Sequence, residues 1–511
     1  MSEVQPLILA VDAGTTGVTA LVVNERADVV ARGYQEFAQH FDHPGWVEHE
    51  LSDIWAATLA ATNQAMATLG ESGRTRSTQI IGIGITNQRE TICLWDRETM
   101  GAARRAIVWQ DRRTAPWCAE HAAAAEDVQL RMRTGLRLDP YFSGSKLAWI
   151  RAHDPQTWTH VLQGRVAIGT VDSYLIARMT RGLEHITDAT NASRTLLYDL
   201  HSANWSAPLC DFFGVPMDAL PEVTASYGDL AHSDPSVFCG IDAPIAGIAG
   251  DQQAALVGQA ALQLGAAKCT YGTGSFLLVN VGSDLASLET ARDTGLLTTV
   301  ALQHPDGRRD FALEGAVFVT GAAVQWLRDG LGIIESAAQI EALARSVPDS
   351  GGVIFVPALT GLGAPDWDPT ARGLVIGIER GTTRAHLARA TLEGIAFEVA
   401  DVVRLMEHQG KVRLPELRVD GGAAANDLLC QLQADVLGVP VDRSAELQTT
   451  GLGAAFLAGL GVGLWQSPAD LQHTRQSSGL FTPDHVSPLA SDQARARWRR
   501  GVDRALNWAI D

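Results

Sequence analysis

Two stretches far apart in the chain share one pattern, and this pattern constrains the fold more than any other feature. Residues 7–23 read LILAVDAGTTGVTALVV and residues 268–282 read KCTYGTGSFLLVNVG. Each stretch joins two apolar runs through a Gly-Thr turn, and runs of this kind that are rich in β-branched residues predict buried strands. Glycine lets backbone N–H groups approach an anion closely, and threonine hydroxyls add further donors. Two such hairpins could therefore hold one polyphosphate from opposite walls of a cleft.

The overall composition sets the class of protein. With 511 residues the chain is too long for a single hydrophobic core, and its length predicts two to four domains. A formal net charge of −18 argues against nucleic acid or an anionic membrane as partner. Six irregularly spaced cysteines without a C-x-x-C pair, and no signal-type segment, lead us to expect reduced thiols in a cytoplasmic protein. The most apolar later stretch, residues 451–465, is too short to cross a bilayer, so we expect no membrane insertion.

The order of patterns along the chain predicts an α/β fold, because strand-like runs alternate with helical ones. We predict a buried strand over 79–87, with residues 91–96 as its partner strand. Helices are predicted over 52–69, 384–409 and 424–437, each followed by a glycine. Because the two hairpins predict two copies of one nucleotide-binding unit, we place a boundary near residue 260. This gives an N-terminal domain over 1–260 and a C-terminal domain over 261–511.

The end of the chain predicts a basic helix. Residues 494–508 read ARARWRRGVDRALNW, with several arginines and a tryptophan near each end. We interpret this segment as a helix with a solvated charged face and with Trp498 and Trp508 packed against the rest of the protein.

Two aspartates follow predicted strands and could carry chemistry. Asp12 comes directly before the turn that contains Gly14, Thr15 and Thr16. A carboxylate there can hold Mg²⁺ beside phosphates, or it can simply bond its own turn backbone. Asp251 ends the apolar run GIAG and precedes a helical pattern. A carboxylate at such a strand end, facing an interdomain cleft, suits a general base in phosphoryl transfer, with a helix N-cap as the alternative.

A second set of side chains is suited to a small polyol. Arg89 and Glu90 lie in TNQRET, on the predicted turn between two strands, and could hold hydroxyl groups through charge-assisted hydrogen bonds. An exposed ion pair is the alternative interpretation. Trp109 could provide an apolar wall for a carbon chain, although a core tryptophan explains it equally well.

A third segment suits a nucleoside. RVDGGAAAND, over 418–427, combines a strand, two glycines and the start of a helix. Gly421 and Gly422 would let a base and a sugar approach the bare backbone, and Asn426 offers an amide group. A Gly-Gly turn by itself is weak evidence.

Ten segments, taken in order, resemble the glycerol kinases of the FGGY carbohydrate kinase family, and the resemblance covers residues 7 to 466. They are GWVEHE (45–50), TNQRET (86–91), IVWQ with RRT (107–114), DPYFSGSK (139–146), TDATNASRT (187–195), GIAGDQQAAL (247–256), TYGTGSF (270–276), LEGAVF (313–318), GLGAPDWDP (361–369) and RVDGGAAAN (418–426). Residues 141–150, YFSGSKLAWI, fit the first signature of the family.

This resemblance implies a fold and a reaction. Members of the family have two actin-like (ribonuclease H-like) domains around a deep interdomain cleft. The implied reaction is phosphorylation of glycerol by ATP, with Mg²⁺, to give sn-glycerol 3-phosphate and ADP. It also implies a homo-oligomer, either a dimer or a tetramer.

The matching motifs imply roles for individual residues. For glycerol binding they imply Arg89, Glu90, Trp109, Tyr141, Asp251, Gln252 and Phe276, with Asp251 as the catalytic base. For nucleotide binding they imply Gly14, Thr15, Thr16, Thr273, Gly321, Gln325, Gly422 and Asn426. Asp12 matches the carboxylate on the magnesium side.

Three departures from the family pattern affect these expectations. Where DQGTTSSR is usual, this chain has DAGTTGVT, so the departures are Ala13, Gly17, Val18 and Thr19. Because an arginine is usual at position 19, we expect phosphate stabilisation to be weaker by about 1–3 kcal/mol. Residues 232–245 lack the arginine-containing loop that binds fructose 1,6-bisphosphate, so we expect no inhibition through this segment. Asp366 replaces a usual tyrosine, and we expect this change to affect the lip of the cleft.

Three other functions compete with glycerol phosphorylation. A kinase of the same family acting on another small polyol or ketose, such as erythritol, dihydroxyacetone or a xylulose-like sugar, is compatible with the altered first hairpin. An actin- or chaperone-like ATP-driven binding module has no reason to build a polyol pocket around Arg89 and Asp251. A catalytically silent polyol sensor would not need both Asp12 and Asp251.

Overall fold

The computed structural model describes residues 5–71, 80–286, 288, 295–484 and 486–509. Its strands are β1 Leu7–Ala13, β2 Gly17–Asn24, β3 Val29–Glu36, β4 Glu48–His49, β5 Ile80–Asn87, β6 Cys93–Asp96, β7 Ala106–Ile107, β8 Val166–Gly169, β9 Ile186–Asp188, β10 Tyr198–Asp199, β11 Asn204–Trp205, β12 Glu222–Thr224, β13 Tyr227–His232, β14 Pro244–Gly250, β15 Ala267–Tyr271, β16 Ser275–Gly282, β17 Leu297–Gln303, β18 Arg309–Val317, β19 Ile354–Val356, β20 Leu374–Ile376, β21 Leu417–Asp420, β22 Val441–Ser444 and β23 Ser477–Phe481.

The α-helices are α1 Leu51–Glu71, α2 Ala115–Glu120, α3 Ala122–Asp127, α4 Leu130–Thr134, α5 Ser143–His153, α6 Pro155–Leu162, α7 Val171–Met179, α8 Ala189–Ala192, α9 Ala207–Phe213, α10 Asp251–Gly258, α11 Gly321–Asp329, α12 Gln339–Arg345, α13 Arg384–Gly410, α14 Asp427–Leu437, α15 Thr449–Gly461 and α16 Asp492–Ala505. Within the described ranges, none of the helices has the length and apolar character that a bilayer crossing requires.

Two large sheets repeat one arrangement of strands. The first has the order β13-β14-β5-β1-β2-β3, and the second has the order β17-β18-β16-β15-β21-β22-β23. In the first sheet β1, β2 and β3 are antiparallel neighbours, while β5 and β14 continue the sheet in parallel with β1. In the second sheet β15, β16 and β18 are antiparallel, while β21 and β22 continue in parallel with β15. The two Gly-Thr hairpins, β1–β2 and β15–β16, therefore occupy corresponding positions in the two sheets, as the repeated sequence pattern predicts.

Both faces of the first sheet are covered, which explains the continuous apolar run in β1. Leu7 and Leu9 pack in one hydrophobic cluster with α1, whereas Ile8 and Ala10 pack in another with α15, on the opposite face. A Cβ atom at Gly84 in β5 would lie 2.0 Å from the carbonyl oxygen of Ala454, so α15 approaches the sheet at backbone distance. The C-terminal part of the chain thus contributes a helix to the first sheet, and the division at residue 260 stays a prediction.

One predicted strand pairing is wrong. The strand predicted over 91–96 forms β6, but β6 pairs with β8 and not with β5. Both edges of β5 are already occupied by β1 and β14. At the turn between β5 and β6, Glu90 has a φ of +61°, and this left-handed residue directs the chain away from the sheet. The preceding strand was predicted to begin at Gln79, which lies outside the described residues.

The C-terminal helix is present, but only one of its tryptophans is packed as predicted. Trp498 is buried and stacks on Phe397, with ring centroids 5.6 Å apart. Trp508 is 71% exposed, so its predicted packing is wrong. The helix ends at Ala505, and Trp508 therefore lies beyond the turns that pack against the protein.

Candidate active site

Five separate segments of the chain bring seven side chains around one small cavity. Its lining residues are Arg89, Glu90, Trp109, Tyr141, Asp251, Gln252 and Phe276. The first six come from the β5–β6 turn, the segment after β7, the residues before α5 and the start of α10. Phe276 comes from β16 in the second sheet, so the cavity lies between the two halves of the molecule. These are the seven side chains that the family resemblance implies for the substrate site.

Arg89 is held rigidly at one side of this cavity. Its guanidinium donates two hydrogen bonds to the Glu314 carboxylate, at 2.6 and 3.1 Å, and a third to the Tyr141 hydroxyl at 3.3 Å. Its Nε lies 3.2 Å from Oδ1 of Asp251. The side chain is buried, and a bidentate pair with a carboxylate fixes the plane of the guanidinium. Arg89 therefore presents a fixed positive charge beside Asp251.

Sequence reasoning missed the charged partners that hold this arginine. Arg194, from the segment after α8, donates to Glu90 at 2.6 Å and to Glu314 at 2.9 Å. With Arg89 these residues form a buried ring of two guanidiniums and two carboxylates, which we call the ionic ring. Burial alone would raise the pKa of Glu314, but the guanidiniums of Arg194 and Arg89 lower it to about 2. A glutamate inside the apolar strand β18 was a signal in the sequence that could have revealed the ring.

Asp251 differs from the carboxylates of the ionic ring. It is the first residue of α10, directly after β14, and 30% of its side chain is exposed. Its Oδ1 accepts a hydrogen bond from the backbone N–H of Gln252 at 2.7 Å. Burial raises the pKa of Asp251 in spite of the nearby positive charges of Arg89 and Lys268. A carboxylate with this environment, open to a cavity, can accept a proton.

Lys268 is a third residue that sequence reasoning did not assign to the site, after Arg194 and Glu314. Its ammonium group is buried at the start of the second hairpin, where it donates to the side-chain oxygen of Gln252 and to the Thr270 hydroxyl. Burial lowers the pKa of Lys268, although Asp420 and Asp251 lie near enough to oppose that shift. Lys268 therefore links the second sheet to the segment that carries Asp251.

Asp12 lies at the end of β1, opposite Thr19 in the β1–β2 pairing and beside Thr86 of β5. Burial, and then the negative charge of Asp251, raise the pKa of Asp12 to about 7. Two carboxylates in this relation are suited to a cation, because a cation removes the cost of ionising both. Within the described ranges, no cluster of three or more His, Cys, Asp or Glu side chains could hold a metal ion. Mg²⁺ commonly needs only one or two carboxylates together with substrate phosphates, so Asp12 fits this ion.

The first hairpin is fixed against the wall of the cavity. The amide of Gly14 donates to the carbonyl of Gly17 at 3.0 Å, and Gln88 donates to the carbonyl of Gly14 at 3.0 Å. The indole N–H of Trp109 donates to the Thr15 hydroxyl at 2.9 Å. Thr16 is exposed at the tip. The turn that was predicted to contact phosphate thus adjoins a residue of the cavity.

The second hairpin is joined to the start of α11. The amides of Gly321 and Ala322 donate to the carbonyls of Gly272 and Thr273, at 3.0 and 3.1 Å. A Cβ atom at Gly321 would lie 2.7 Å from the carbonyl oxygen of Gly272, so this contact requires glycine. Gln325 follows one turn along the same helix and is exposed. The second hairpin and the start of α11 therefore form one connected surface, which carries Thr273, Gly321 and Gln325.

The remaining two predicted nucleotide contacts lie at the carboxyl end of β21, next to the end of β15. Gly421 has a φ of +87°, and a Cβ atom there would lie 2.5 Å from the carbonyl oxygen of Tyr271. Gly422 is exposed, with no other atom near the position of its missing Cβ. The side-chain oxygen of Asn426 caps α14 by accepting from the amide of Leu429 at 2.9 Å, which leaves its NH₂ group for a ligand. The ends of neighbouring parallel strands are a common location for ligands.

Comparisons with known proteins identify the family of this chain. The N-terminal domain of the FGGY family of carbohydrate kinases matches residues 7–258, and the C-terminal domain of that family matches residues 267–462. The chain is 49% identical to glycerol kinase of Deinococcus radiodurans over 514 residues, covering 100% of this chain and 99% of that protein. It is 50% identical to glycerol kinase of Dechloromonas aromatica over 507 residues, covering 98% of each.

Among solved structures, the crystal structure of Plasmodium falciparum glycerol kinase with ADP matches with a TM-score of 0.91 at 33% identity, covering 98% of both chains. The two repeated sheets correspond to the actin-like, ribonuclease H-like fold. The chain therefore belongs to the FGGY family of carbohydrate kinases.

Proposed function

We propose that this protein transfers the γ-phosphoryl group of ATP to glycerol, giving sn-glycerol 3-phosphate and ADP. Relatives named glycerol kinase are about half identical to it over the whole chain, which supports this assignment. The observation that carries the proposal is the cavity in which Asp251, partly exposed and with a raised pKa, lies 3.2 Å from the guanidinium of Arg89. Asp251 supplies a proton acceptor and Arg89 supplies a hydrogen-bond donor, and the two groups are adjacent in the cavity wall.

The other side chains of the cavity suit a small triol. Arg89, Glu90 and Tyr141 offer donors and acceptors for hydroxyl groups. Trp109 and Phe276 offer apolar surface for the carbon chain, and the Trp109 ring lies edge-on to Tyr141 with centroids 5.6 Å apart. Because a triol has little apolar surface, we expect its affinity to depend on oriented hydrogen bonds. The ionic ring keeps the key donor of this set in place.

In the proposed reaction the terminal hydroxyl of glycerol attacks the γ-phosphorus. A new O–P bond forms while the bond between the γ-phosphorus and the β-phosphate oxygen breaks, and its electron pair leaves with ADP. The hydroxyl proton passes to the carboxylate of Asp251 late in this step. Arg89 holds Asp251 and the substrate in register, so the contribution of the protein is mainly positioning and electrostatic stabilisation.

We assign the phosphates to the two hairpins, through Gly14, Thr15, Thr16 and Thr273. The nucleoside would lie against Gly321, Gln325, Gly422 and Asn426 in the second half. Asp12 would hold Mg²⁺, directly or through water, on the phosphate side of Asp251. When bound, this ion would neutralise negative charge on the phosphates.

Replacing Asp251 by asparagine tests the assignment of the base. We expect the variant to keep glycerol binding, measured by calorimetry, and to lose turnover by about 100-fold or more in an assay coupled to ADP release. Asp242→Asn is the matched control. It changes an exposed aspartate that pairs with His232 at the end of β13, in the first sheet, and should leave turnover unchanged. Unchanged turnover in Asp251→Asn would remove this residue from the role of base.

A substrate panel tests the identity of the acceptor. Glycerol, erythritol, dihydroxyacetone and xylulose would be compared in the same coupled assay, with ATP at a saturating concentration. We expect the highest kcat/KM for glycerol. A higher kcat/KM for any of the other three would assign the protein to a different small polyol or ketose.

A further inference from the structure

The last helix carries arginines that differ in whether they have a carboxylate partner. Arg495 lies 3.0 Å from Asp492, and Arg499 forms a two-point pair with Asp366 at 2.9 and 3.1 Å. The other arginines of α16 are Arg497, Arg500 and Arg504. In the part of the chain that the structure describes, none of these three has a carboxylate within ion-pairing distance. In a protein with a net charge of −18, a group of unpaired arginines is a notable local feature.

The three unpaired arginines line one cavity of about 170 Å³. The opposite wall is formed by the two-stranded sheet of β19 and β20 and the residues next to it, through Ile354, Ile376, Gly352 and Gly377. This cavity shares no lining residue with the candidate active site. It is smaller than the pockets that hold drug-sized ligands, so it suits a small molecule.

The arginine spacing places like charges on one side of the helix. Positions 497, 500 and 504 are three and four residues apart, which puts their side chains on the same face. Like charges at this spacing repel one another and destabilise the helix. An anion bound between them would remove that repulsion, whereas the paired arginines of the same helix already have their counter-ions.

Two of the guanidiniums are held in place by the backbone. Arg497 donates to the carbonyl of Gly352 at 2.7 Å, and Arg504 donates to the carbonyl of Arg500 at 2.6 Å. Gly352 has a φ of +87°, a backbone conformation that favours glycine. Each guanidinium has five N–H donors, and these contacts use only part of them. The remaining donors are pre-positioned for a ligand with several acceptor oxygens.

We propose that this cavity binds a small, soluble, phosphate-bearing anion at a site separate from the cleft. The fork of an arginine matches the oxygens of a phosphate, and three arginines around one cavity can neutralise a doubly charged group. Ile354 and Ile376 provide a short apolar wall for carbon atoms attached to that phosphate. The proposal goes beyond the proposed function and does not depend on it.

Calorimetric titration of the full chain with inorganic pyrophosphate tests this site. The double variant Arg500→Ala/Arg504→Ala removes two donors and leaves Arg497 on its backbone partner. Arg495→Ala, on the same helix and outside the cavity, is the matched control. We expect pyrophosphate binding by the native protein and the control, with affinity lower by about tenfold or more in the double variant, since each charged hydrogen bond contributes about that factor. Pyrophosphate that binds in the cleft of the candidate active site would do so equally in the native protein, the control and the double variant, so only the difference between them reports on this cavity.

Equal pyrophosphate affinity in the native protein and the double variant would overturn the proposal. The single variant Arg500→Glu repeats the test with a charge reversal, and it too should weaken binding. Light scattering on the same samples measures the oligomeric state, which would change in the double variant if the arginines instead contacted a second copy of the chain. A change of oligomeric state in the double variant, without pyrophosphate binding by the native protein, would also overturn it. So would co-sedimentation with phosphatidic acid vesicles that is lost in the double variant, because the cavity would then serve a lipid headgroup.

Discussion

Replacing Glu314 by glutamine would show how much the ionic ring contributes to the protein. The carboxylate of Glu314 is buried and accepts hydrogen bonds from both Arg89 and Arg194. A pKa of about 2, against an ordinary 4.5, corresponds to about 3 kcal/mol in favour of the ionised form in the folded protein. Glutamine removes this charge, so Arg194 keeps only Glu90 as a paired carboxylate, while Arg89 keeps Glu90 and the partly exposed Asp251. We therefore expect the free energy of unfolding to fall by about 3 kcal/mol, in the range seen when a buried ion pair is broken.

The dependence on pH follows from the direction of this shift. Because the folded-state pKa of Glu314 is lowered, its stabilising contribution is complete above about pH 4.5 and is lost as the pH falls towards about 2. The difference between the native protein and Glu314→Gln should therefore be full at neutral pH and shrink in acid.

Guanidinium chloride unfolding at neutral pH measures the change in stability. Glu335→Gln, which alters an exposed glutamate in the same half of the chain, is the control and should change the free energy of unfolding by less than about 0.5 kcal/mol. Since the ring orients Arg89, we also expect a higher KM for glycerol in Glu314→Gln, with a smaller change in kcat. If both the unfolding free energy and the KM of Glu314→Gln matched the native values, the ring would have no role in positioning Arg89.

Three further changes test other features. Glu398 is buried, its Oε2 has no hydrogen-bond partner, and burial followed by Asp401 and Asp366 raises its pKa to about 8. Its contribution to stability is thus complete below about pH 4.5 and is lost as the pH rises through about 8, so Glu398→Gln should melt at a higher temperature than the native protein at about pH 9; equal melting would contradict this. Thr19→Arg, opposite Asp12 on the same face of the hairpin, should raise kcat/KM by about tenfold or more, and no increase would refute our account of the altered loop. Asp366→Ala breaks the partly exposed two-point pair with Arg499 and should cost about 1 kcal/mol in thermal or chemical unfolding, which an unchanged unfolding midpoint would contradict.

The parts of the fold that sequence predicts well are those with strong local signals. The hairpin around Asp12 combines two apolar runs with a glycine turn, and its first strand is buried on both faces, so the pattern has one interpretation. Helices α1, α13 and α14 lie where glycines and apolar periodicity predict them, within a few residues. The seven residues around the cavity were found through motifs, and the structure brings them together although they are spread from position 89 to position 276.

What sequence did not predict depends on contacts between distant segments. The pairing of β6 with β8 depends on which edges of β5 are free, and no local pattern contains that information. The ionic ring joins residues as far apart as Arg89 and Glu314. Even where a member carried a local signal, as Glu314 does inside an apolar strand, that signal did not identify its partners. Asp366, which the sequence associated only with the lip of the cleft, is the partner of Arg499 on the last helix. Such partners are fixed by packing and charge compensation in three dimensions.

The pKa of Glu314 shifts in the opposite direction from the pKa values of Glu90, Asp251 and Asp12. Glu314 faces two guanidiniums, and its pKa is lowered, so it stays ionised and serves to hold Arg89 and Arg194. Asp251 and Asp12 are near each other, and burial raises the pKa of both. Burial also raises the pKa of Glu90, which pairs with Arg194, so a raised pKa does not by itself mark a group that exchanges a proton. Asp251 differs from Glu90 because 30% of its side chain is exposed. The ring holds Arg89 in place without a ligand, so in the proposed reaction little reorganisation would remain when the alcohol approaches Asp251.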